Sequence, residues 1–345
     1  MKAALVTGIT GQDGSYLAEL LTKKDYEVFG MSRFCSEKKH SRIEHLKSLP
    51  NFHLIEGDLT DTARINKIIN SFEKYDSVEV YNLGAVSYVK VSFEQPEYTA
   101  NVDALGTLRM LETIRQCHFC NKIKFYQAST SEMFGKIVEP IQSETTPFYP
   151  RSPYGVSKLF AYWMTRNYRE SFGIFACNGI LFNHESERRG SEFVTRKITL
   201  GLAEWLRTGT PIELGNLDAT RDWGHAEDYV EMMWLMMQHA EPQDFVIGTG
   251  ETHSIREFVE MSCAEINLQV RWEGSGVDER AVAPDGKTIV KVNPEFYRPA
   301  EVDVLIANAS KAREVLGWTP KIDFKTLVKR MVQHDCAGLG NFVSK

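Results

Sequence analysis

The chain has 345 residues with 43% hydrophobic and 25% charged residues, which is enough to bury a sizeable core in one large domain or two. A formal net charge of −6 argues against nucleic acid or an anionic membrane as the main partner. No apolar run approaches the ~20 residues of a membrane-spanning helix, and the six cysteines show no disulfide-framework spacing. We therefore expect a soluble, cytoplasmic protein with reduced thiols.

The N-terminus combines a buried strand with a glycine-rich turn. Lys2 to Thr7 is apolar without polar alternation, as in a strand covered on both faces of a parallel sheet. GITGQDG follows, and its Gly8, Gly11 and Gly14 open a helix whose N-terminus can hold a pyrophosphate. This context predicts a dinucleotide site, to which we also assign Thr10, Gln12 and Asp13 of the same turn.

The end of the second strand bears on cofactor choice. The strand YEVFGM runs into Ser32 and Arg33, where an NAD-binding fold usually offers a carboxylate to the ribose, while Asp25 precedes the strand. A guanidinium suits a 2′-phosphate because it pairs with phosphate oxygens in a bidentate manner. The sequence therefore favours NADP over NAD.

Two further strands end in residues that suit a cofactor. FHLIEGD delivers Asp58 and Leu59, which could frame an adenine, and SVEVYNLGA ends in Leu83, Gly84 and Ala85, small enough for the cofactor to pass against backbone. A long amphipathic helix predicted over residues 96–116 carries Tyr98 and Asn101 near its start. Regular alternation of strands and helices predicts a Rossmann-type doubly wound parallel sheet.

The stretch from Tyr126 to Lys158 carries candidate catalytic residues. A strand is predicted to deliver Thr130 and Glu132 to its carboxyl end, with both side chains on one side if the strand continues. Tyr154 and Lys158 lie at i and i+4 of the next helix, so both can reach one ligand. A tyrosine titrates near ~10, and we expect the ammonium and an oxidised nicotinamide to lower the Tyr154 pKa toward neutrality, making it a base. The alternative is an ordinary surface spacing on a helix.

The second half is predicted to be a smaller mixed α/β substrate domain. We place a cofactor domain at residues 1–180, with later returns near 215–250, and a mainly substrate-binding domain at 181–345, in which residues 271–292 are expected to be irregular. Lys197, Arg221 and Arg298 stand near Gly or Pro breaks, which suits a substrate diphosphate. The alternative is that they form ordinary surface ion pairs.

Several segments together carry a family resemblance: GITGQDG, ASTSE, SPYGVSK, LFNHES, RRG, FVTRKI, RDWGHAEDYV and RPAEVD. With them the chain resembles the extended short-chain dehydrogenase/reductases, and among these the GDP-mannose 4,6-dehydratase family, from Lys2 to about Trp318. The glycine turn and Y-x-x-x-K indicate the superfamily, whereas Thr130 with Glu132, NHES, RRG and RDWGHA indicate the dehydratases. Glu187 stands where the family's loop has proline.

The resemblance implies a lyase that binds NADP, acts on GDP-mannose and assembles as a homotetramer, with a dimer as the alternative. It implies Tyr154 as base, Lys158 on the nicotinamide ribose, and Thr130 and Glu132 as the dehydration pair. Residues implied around the cofactor are Arg33, Asp58, Leu59, Leu83, Gly84, Ala85, Ser87, Tyr98, Asn183, His184 and Arg189. Ser87, Thr130, Glu132 and Asn183 are also assigned to the substrate, and no metal is expected.

Other functions remain open at this point. A different nucleotide-sugar 4,6-dehydratase would use the same residues, whereas a 4-epimerase or 4-keto reductase would share Tyr154 and Lys158 without needing Glu132. A non-catalytic NADP-binding sensor would need the glycine turn but not these side chains together.

Overall fold

The structure is a computed structural model that describes residues 1–36, 40–296 and 305–339. Its strands are β1 Lys2–Thr7, β2 Glu27–Ser32, β3 Phe52–Glu56, β4 Ser77–Asn82, β5 Ile123–Thr130, β6 Phe175–Leu181, β7 Asn183–Glu185, β8 Ile212–Leu214, β9 Thr220–Arg221, β10 Trp223–His225, β11 Phe245–Ile247, β12 His253–Ser254, β13 Arg271–Glu273, β14 Arg280–Val282 and β15 Thr288–Val292. Its α-helices are α1 Gln12–Thr22, α2 Thr62–Asn70, α3 Val89–Glu94, α4 Pro96–Thr99, α5 Gly106–Gln116, α6 Pro153–Phe172, α7 Val194–Thr208, α8 Ala226–Gln238, α9 Ile255–Glu265, α10 Ser310–Leu316 and α11 Phe324–Asp335.

A seven-stranded sheet in the order β11-β6-β5-β4-β1-β2-β3 forms the centre of the fold. Each neighbouring pair is parallel. The chain runs outward from β1 to β3, then returns to β4 on the other side of β1, so the strand order reverses between β1 and β4. The predicted Rossmann-type sheet is confirmed, and ligands in such sheets bind in the crevice at this reversal.

Both faces of the sheet are covered, as the apolar run of β1 predicts. Ala4 and Val6 pack into a core with helices α1 and α8. Ala3 and Leu5 point to the opposite face and pack with residues of α2 and α5. Because successive side chains of a strand alternate between faces, one six-residue strand contributes to two cores.

A second sheet, ordered β13-β14-β15-β8, lies in the later part of the chain. It shares a core with α7, α9 and α11, in which Trp223 stacks on Phe324 with ring centroids 5.9 Å apart. The expectation that residues 271–292 are irregular is wrong, since β13 pairs with β14 there, and β14 and β15 pair as an antiparallel hairpin. Gly286, with φ 84°, closes the tight turn that broke the apolar pattern between the two strands.

The helix predicted over residues 96–116 forms in three parts. Helix α4 passes into a π-helical turn over Ala100–Leu105, which continues into α5. Such turns insert an extra residue and occur frequently at functional sites. Within the described ranges, none of the helices is long and apolar enough to cross a membrane.

Candidate active site

Buried polar side chains join the strands where β1, β4 and β5 approach the crevice. The Thr7 hydroxyl donates to Asn82 Oδ1 at 2.9 Å, and Asn82 Nδ2 donates to Gln127 Oε1 at 2.8 Å. The backbone N–H of Gly84 donates to Thr7 Oγ1 at 2.9 Å. Since these groups are almost fully buried and mutually satisfied, they hold the loops after β1 and β4 in fixed relative positions.

The glycine turn is tight enough to require glycine at two positions. Gly8 has φ 66°, and a Cβ atom there would lie 2.9 Å from the Gly84 nitrogen. A Cβ atom on Gly14 would lie 2.5 Å from the Gly8 carbonyl oxygen. The turn therefore leaves room for a pyrophosphate against backbone at the start of α1, which is the fit that a dinucleotide requires.

An ion pair fastens the start of α1 to β7. His184 Nε2 lies 2.8 Å from Asp13 Oδ2, and His184 Nδ1 lies 2.8 Å from the Phe182 carbonyl oxygen. Burial by itself would raise the pKa of Asp13, but the charge and hydrogen bond of His184 lower it from 3.8 to about 2. Burial by itself would lower the pKa of His184, but Asp13 outweighs this effect and raises it. Each partner therefore favours the charged form of the other.

Helix α6 presents Tyr154 and Lys158 to the same cavity. The helix begins after Ser152, whose hydroxyl accepts from the Gly155 N–H at 3.0 Å, so Tyr154 lies in its first turn. Lys158 lies one turn later, with Nζ donating to the Ala128 carbonyl oxygen at 3.0 Å and standing 5.8 Å from the Tyr154 ring centroid. Both side chains are less than a tenth exposed, so a ligand reaching them would be largely shielded from water.

The protein's own groups raise the Tyr154 pKa, contrary to the expected lowering by Lys158. Burial has the largest effect, and the negative charges of Asp103 and Glu132 add to it. A hydrogen bond with Thr130 and the charge of Arg189 act in the opposite direction but are weaker. Burial also lowers the pKa of Lys158. The surrounding side chains thus favour the neutral phenol, because a buried charge is costly.

Glu132 reaches this cavity from a turn, not from the end of a strand. Strand β5 ends at Thr130, and Ser131–Met133 form one turn of 3₁₀-helix. The Thr130 hydroxyl accepts from the Glu132 N–H at 3.2 Å, which is a local capping bond that competes with continuing the strand. The predicted strand alternation over these residues is therefore wrong, although both side chains line one cavity.

A second cavity of about 500 Å³ adjoins the first, and both are lined by Asn183 and Phe193. Lys197 and Arg221 line this second cavity. The Lys197 ammonium lies 3.4 Å from the centroid of the Phe296 ring, and burial lowers its pKa. Two cations at a partly apolar cavity can attract an anionic group.

A third cavity lies at the ends of β2 and β3 and is lined by Arg33, Asp58 and Thr10, among others. The Arg33 guanidinium donates to the Tyr98 hydroxyl. Asp58 is held by Thr60, whose N–H and hydroxyl each donate to its Oδ1 at 2.8 Å. The cavity combines Arg33 and Arg64 with three carboxylates, so its charge is mixed.

The structure thus gathers most of the predicted site residues. Around the cavity that holds Tyr154 lie Gly8, Gly11, Gln12, Asp13, Gly14, Leu83, Ala85, Ser87, Thr130, Glu132, Lys158, Asn183, His184 and Arg189. Leu59, Gly84 and Tyr98 do not line any of the three cavities, and Leu59 is instead 5% exposed in the core. Arg298 lies outside the described residues.

Comparisons with known proteins place the chain in a family. The model of the GDP-mannose 4,6 dehydratase family matches residues 5–331. The chain is 56% identical over 344 residues to GDP-mannose 4,6 dehydratase 2 of Caenorhabditis elegans, covering 97% of this chain and 89% of that protein. It is 54% identical over 340 residues to human GDP-mannose 4,6 dehydratase, covering 96% and 91%. The chain belongs to the GDP-mannose 4,6-dehydratase family.

Solved structures agree with the fold. UDP-glucose 4-epimerase of Thermus thermophilus, solved in complex with NAD, superposes with a TM-score of 0.78 at 25% identity, over 97% of this chain and 99% of that one. This chain therefore shares its overall fold with that epimerase. What separates the dehydratase family from the epimerase must lie in individual side chains.

Glu187, where the sequence resemblance implies a proline, is held by two side-chain contacts. Glu187 accepts from the buried His225 at 3.4 Å and from Arg330 of α11 at 3.1 Å. Although burial would raise the pKa of Glu187, the hydrogen bond of His225 and the charge of Arg330 lower it. Two side-chain contacts therefore hold the loop where a proline would have stiffened its backbone.

Two residues of this dehydratase-family site were missed from the sequence. Phe193 lines both adjoining cavities and stacks beneath the Arg189 guanidinium at 3.6 Å. Asp103, in the π-helical turn, is 1% exposed and acts electrostatically on Tyr154 and Lys158. A lone aspartate in an amphipathic helix pattern does not reveal that its side chain is buried. Phe193, in contrast, lies close to RRG in the sequence, so its ring could have been predicted to pack on an arginine.

Among the described residues, no cluster of three or more His, Cys, Asp or Glu side chains could hold a metal ion. The CxxC pair consists of a buried Cys117 and a half-buried Cys120, both free. Burial raises the pKa of the Cys117 thiol, which fits a packing role.

Proposed function

We propose that the chain converts GDP-α-D-mannose to GDP-4-dehydro-6-deoxy-α-D-mannose and water, with NADP as its bound cofactor. The observation that carries this proposal is the meeting of Tyr154, Lys158, Thr130 and Glu132 at one cavity, in a chain of the dehydratase family. Tyr154 and Lys158 suit oxidation at C4, and Glu132 supplies the additional base that elimination needs and epimerisation does not. This argues for a dehydratase over the epimerases of the same fold.

The cofactor would lie along the carboxyl ends of the strands, from the third cavity to Tyr154. The turn containing Gly8 and Gly14 fits its pyrophosphate, and the solved epimerase with NAD in the same fold supports a nicotinamide dinucleotide. When bound, the cofactor would supply the acceptor for the hydride that leaves C4 and would hold that hydride until it is delivered to C6, where it replaces the departed hydroxyl while C5 regains a proton. We propose NADP over NAD because Arg33 and Arg64 line the cavity into which the adenosine 2′-position would point.

Tyr154 is the proposed base for the C4 hydroxyl. Since the protein's side chains raise its pKa, proton transfer requires additional positive charge in the cavity, and an oxidised nicotinamide carries that charge. Lys158 would contact the nicotinamide ribose and help to orient the phenol. The base would therefore become competent only in the loaded enzyme.

Glu132 is the proposed base for the C5 proton, and Thr130 is proposed to assist departure of the C6 hydroxyl as water. A ketone at C4 acidifies the C5 proton, so oxidation must precede elimination. The charge of Glu132 raises the Tyr154 pKa, so the carboxylate is close enough to Tyr154 to act on a sugar that contacts the phenol. Both steps can therefore take place in one cavity, because it contains both bases.

The adjoining cavity is the proposed nucleotide-diphosphate site. Asn183 and Phe193 lie between it and Tyr154, so a sugar could reach the bases while its diphosphate contacts Lys197 and Arg221. We propose that most of residues 181–345 form this substrate domain. The six free cysteines are consistent with the cytoplasmic location that we propose.

We also propose a homotetramer. Val156, Phe160 and Trp163 are 55%, 39% and 50% exposed at i, i+4 and i+7 of α6, so they form one apolar helix face. Phe34, in the segment that follows β2, is a further large apolar side chain on the surface, 77% exposed. Light scattering that shows a monomer at working concentration would reject this proposal.

The proposed activity is tested by incubating the pure protein with a panel of nucleotide sugars and no added cofactor. Loss of one water from GDP-mannose, seen by mass, is the expected result. Water loss from another nucleotide sugar alone would change the substrate, and epimerisation at C4 without loss of mass would replace the proposed function.

A further inference from the structure

The π-helical turn Ala100–Leu105 buries an acidic side chain beside the catalytic helix. Asp103 is 1% exposed, and its Oδ1 accepts from the Val86 N–H at 2.8 Å. Its Oδ2 is also buried and has no hydrogen-bond partner within the described part of the chain. An unsatisfied buried carboxylate oxygen is costly, so a nearby positive charge is needed to stabilise it.

Lys158 lies on α6, the helix against which the turn containing Asp103 packs. Lys158 is 2% exposed. Its Nζ donates to the Ala128 carbonyl oxygen, which uses one of the three donors of an ammonium. Burial lowers the Lys158 pKa while the charge of Asp103 raises it, and Lys158 likewise opposes the effect of burial on Asp103.

We propose that Asp103 is the buried counter-ion of Lys158, keeping its ammonium protonated at the pH at which Tyr154 acts. Asp103 is a positioning residue that acts through Lys158, and its bond to Val86 ties this charge to the loop after β4. The inference rests on the proposed function of Tyr154 and Lys158. The other charged groups that act on Tyr154 are Glu132 and Arg189, and all the substitutions described below leave these two residues in place.

The arrangement predicts a specific change when the negative charge is removed. An opposite charge at close range typically raises the pKa of a cation by ~1–3 units. Asp103→Asn keeps an oxygen that can accept from Val86 but removes the charge, so the Lys158 pKa should fall. The Lys158 ammonium would then be lost at a lower pH than in the native enzyme.

The test is the pH profile of cofactor reduction in a single turnover with GDP-mannose, together with the Kd of NADP at each pH. In Asp103→Asn we expect the alkaline limb of both profiles to move ~1–3 pH units lower. The matched control is Glu79→Gln. Glu79 is also a nearly buried carboxylate on β4, but it accepts from Tyr26 and Tyr81 at 2.9 and 2.7 Å, so its variant should keep the native limb.

Two further variants make the result decisive. Asp103→Ser is a second neutral replacement should the asparagine variant not fold, and it should show the same shift. In a Lys158→Arg background, removal of the Asp103 charge should leave the alkaline limb of both profiles unshifted, because an arginine stays charged. Unshifted limbs in both neutral variants, or an equal shift in Glu79→Gln, would overturn the proposal. If no substrate is dehydrated, the proposed function fails, whereas the NADP titration still decides the role of Asp103.

Discussion

Replacing Glu132 by glutamine should separate the two halves of the proposed reaction. The substitution keeps the shape of the side chain and the bond from the residue 132 N–H to Thr130 Oγ1, because that bond uses the backbone. Loss of a general base is worth ~10²–10⁴-fold in rate, which corresponds to about 3–5 kcal/mol of activation free energy. Dehydration should slow by that factor.

The same substitution should leave oxidation at C4 intact or make it easier at low pH. Glu132 raises the Tyr154 pKa, so its neutral replacement lowers that pKa. The acid limb of cofactor reduction should therefore shift toward lower pH while water loss is nearly abolished. Two different effects from one substitution distinguish a catalytic carboxylate from a structural one.

The assay has two parts. The enzyme is mixed rapidly with GDP-mannose while the absorbance of the reduced nicotinamide is recorded, and the sugar product is then analysed by mass. Glu132→Gln should accumulate reduced cofactor and a 4-keto sugar that retains its C6 oxygen. Tyr154→Phe is the control, since it should form no reduced cofactor while retaining NADP binding. Water loss at the native rate in Glu132→Gln would refute the assignment of Glu132 as base.

Other substitutions test the cofactor, the substrate and the ion pair. Arg33→Ala should raise the Kd for NADP far more than the Kd for NAD, and equal losses in a binding titration would remove Arg33 as the selectivity residue. Lys197→Ala and Arg221→Ala should each raise KM for GDP-mannose with less effect on kcat, because both line the cavity proposed for the diphosphate and not the one that holds Tyr154. An unchanged KM in both variants would place the diphosphate elsewhere. Folding lowers the Asp13 pKa from 3.8 to about 2, so its contribution is complete above pH ~4 and is lost as pH falls toward 2. Asp13→Asn should therefore cost about 2 kcal/mol of unfolding free energy at pH 7, measured by denaturant titration, and a loss that persists unchanged at pH 2 would contradict the role of the His184 pair.

The sheet could be predicted from the sequence because its strands are short apolar runs followed by turn residues. β1 was predicted with the bounds that the structure gives, and Tyr154 and Lys158 fall on α6 as their spacing indicated. Local hydrogen bonds explain a feature that the sequence pattern did not predict. Hydroxyl capping by Thr130 ends β5 before Glu132, which no periodicity signals.

Long-range contacts account for other differences. Asp103 lies in a helical stretch whose pattern does not distinguish a buried acid from an exposed one, and the π-helical turn that places it depends on packing against α6. The Tyr154 pKa was expected to follow its neighbour Lys158, whereas burial of both side chains dominates in the folded chain. Burial depends on the whole fold, so a one-turn spacing could not reveal it.

The central claim is an internal hydride transfer from C4 to C6 with proton exchange at C5. It is tested most directly with GDP-mannose deuterated at C4, and with unlabelled substrate turned over in heavy water. The account predicts that the C4 deuterium appears at C6 of the product and that solvent deuterium appears at C5. Loss of the C4 label to solvent, or a C5 position without solvent deuterium, would contradict it.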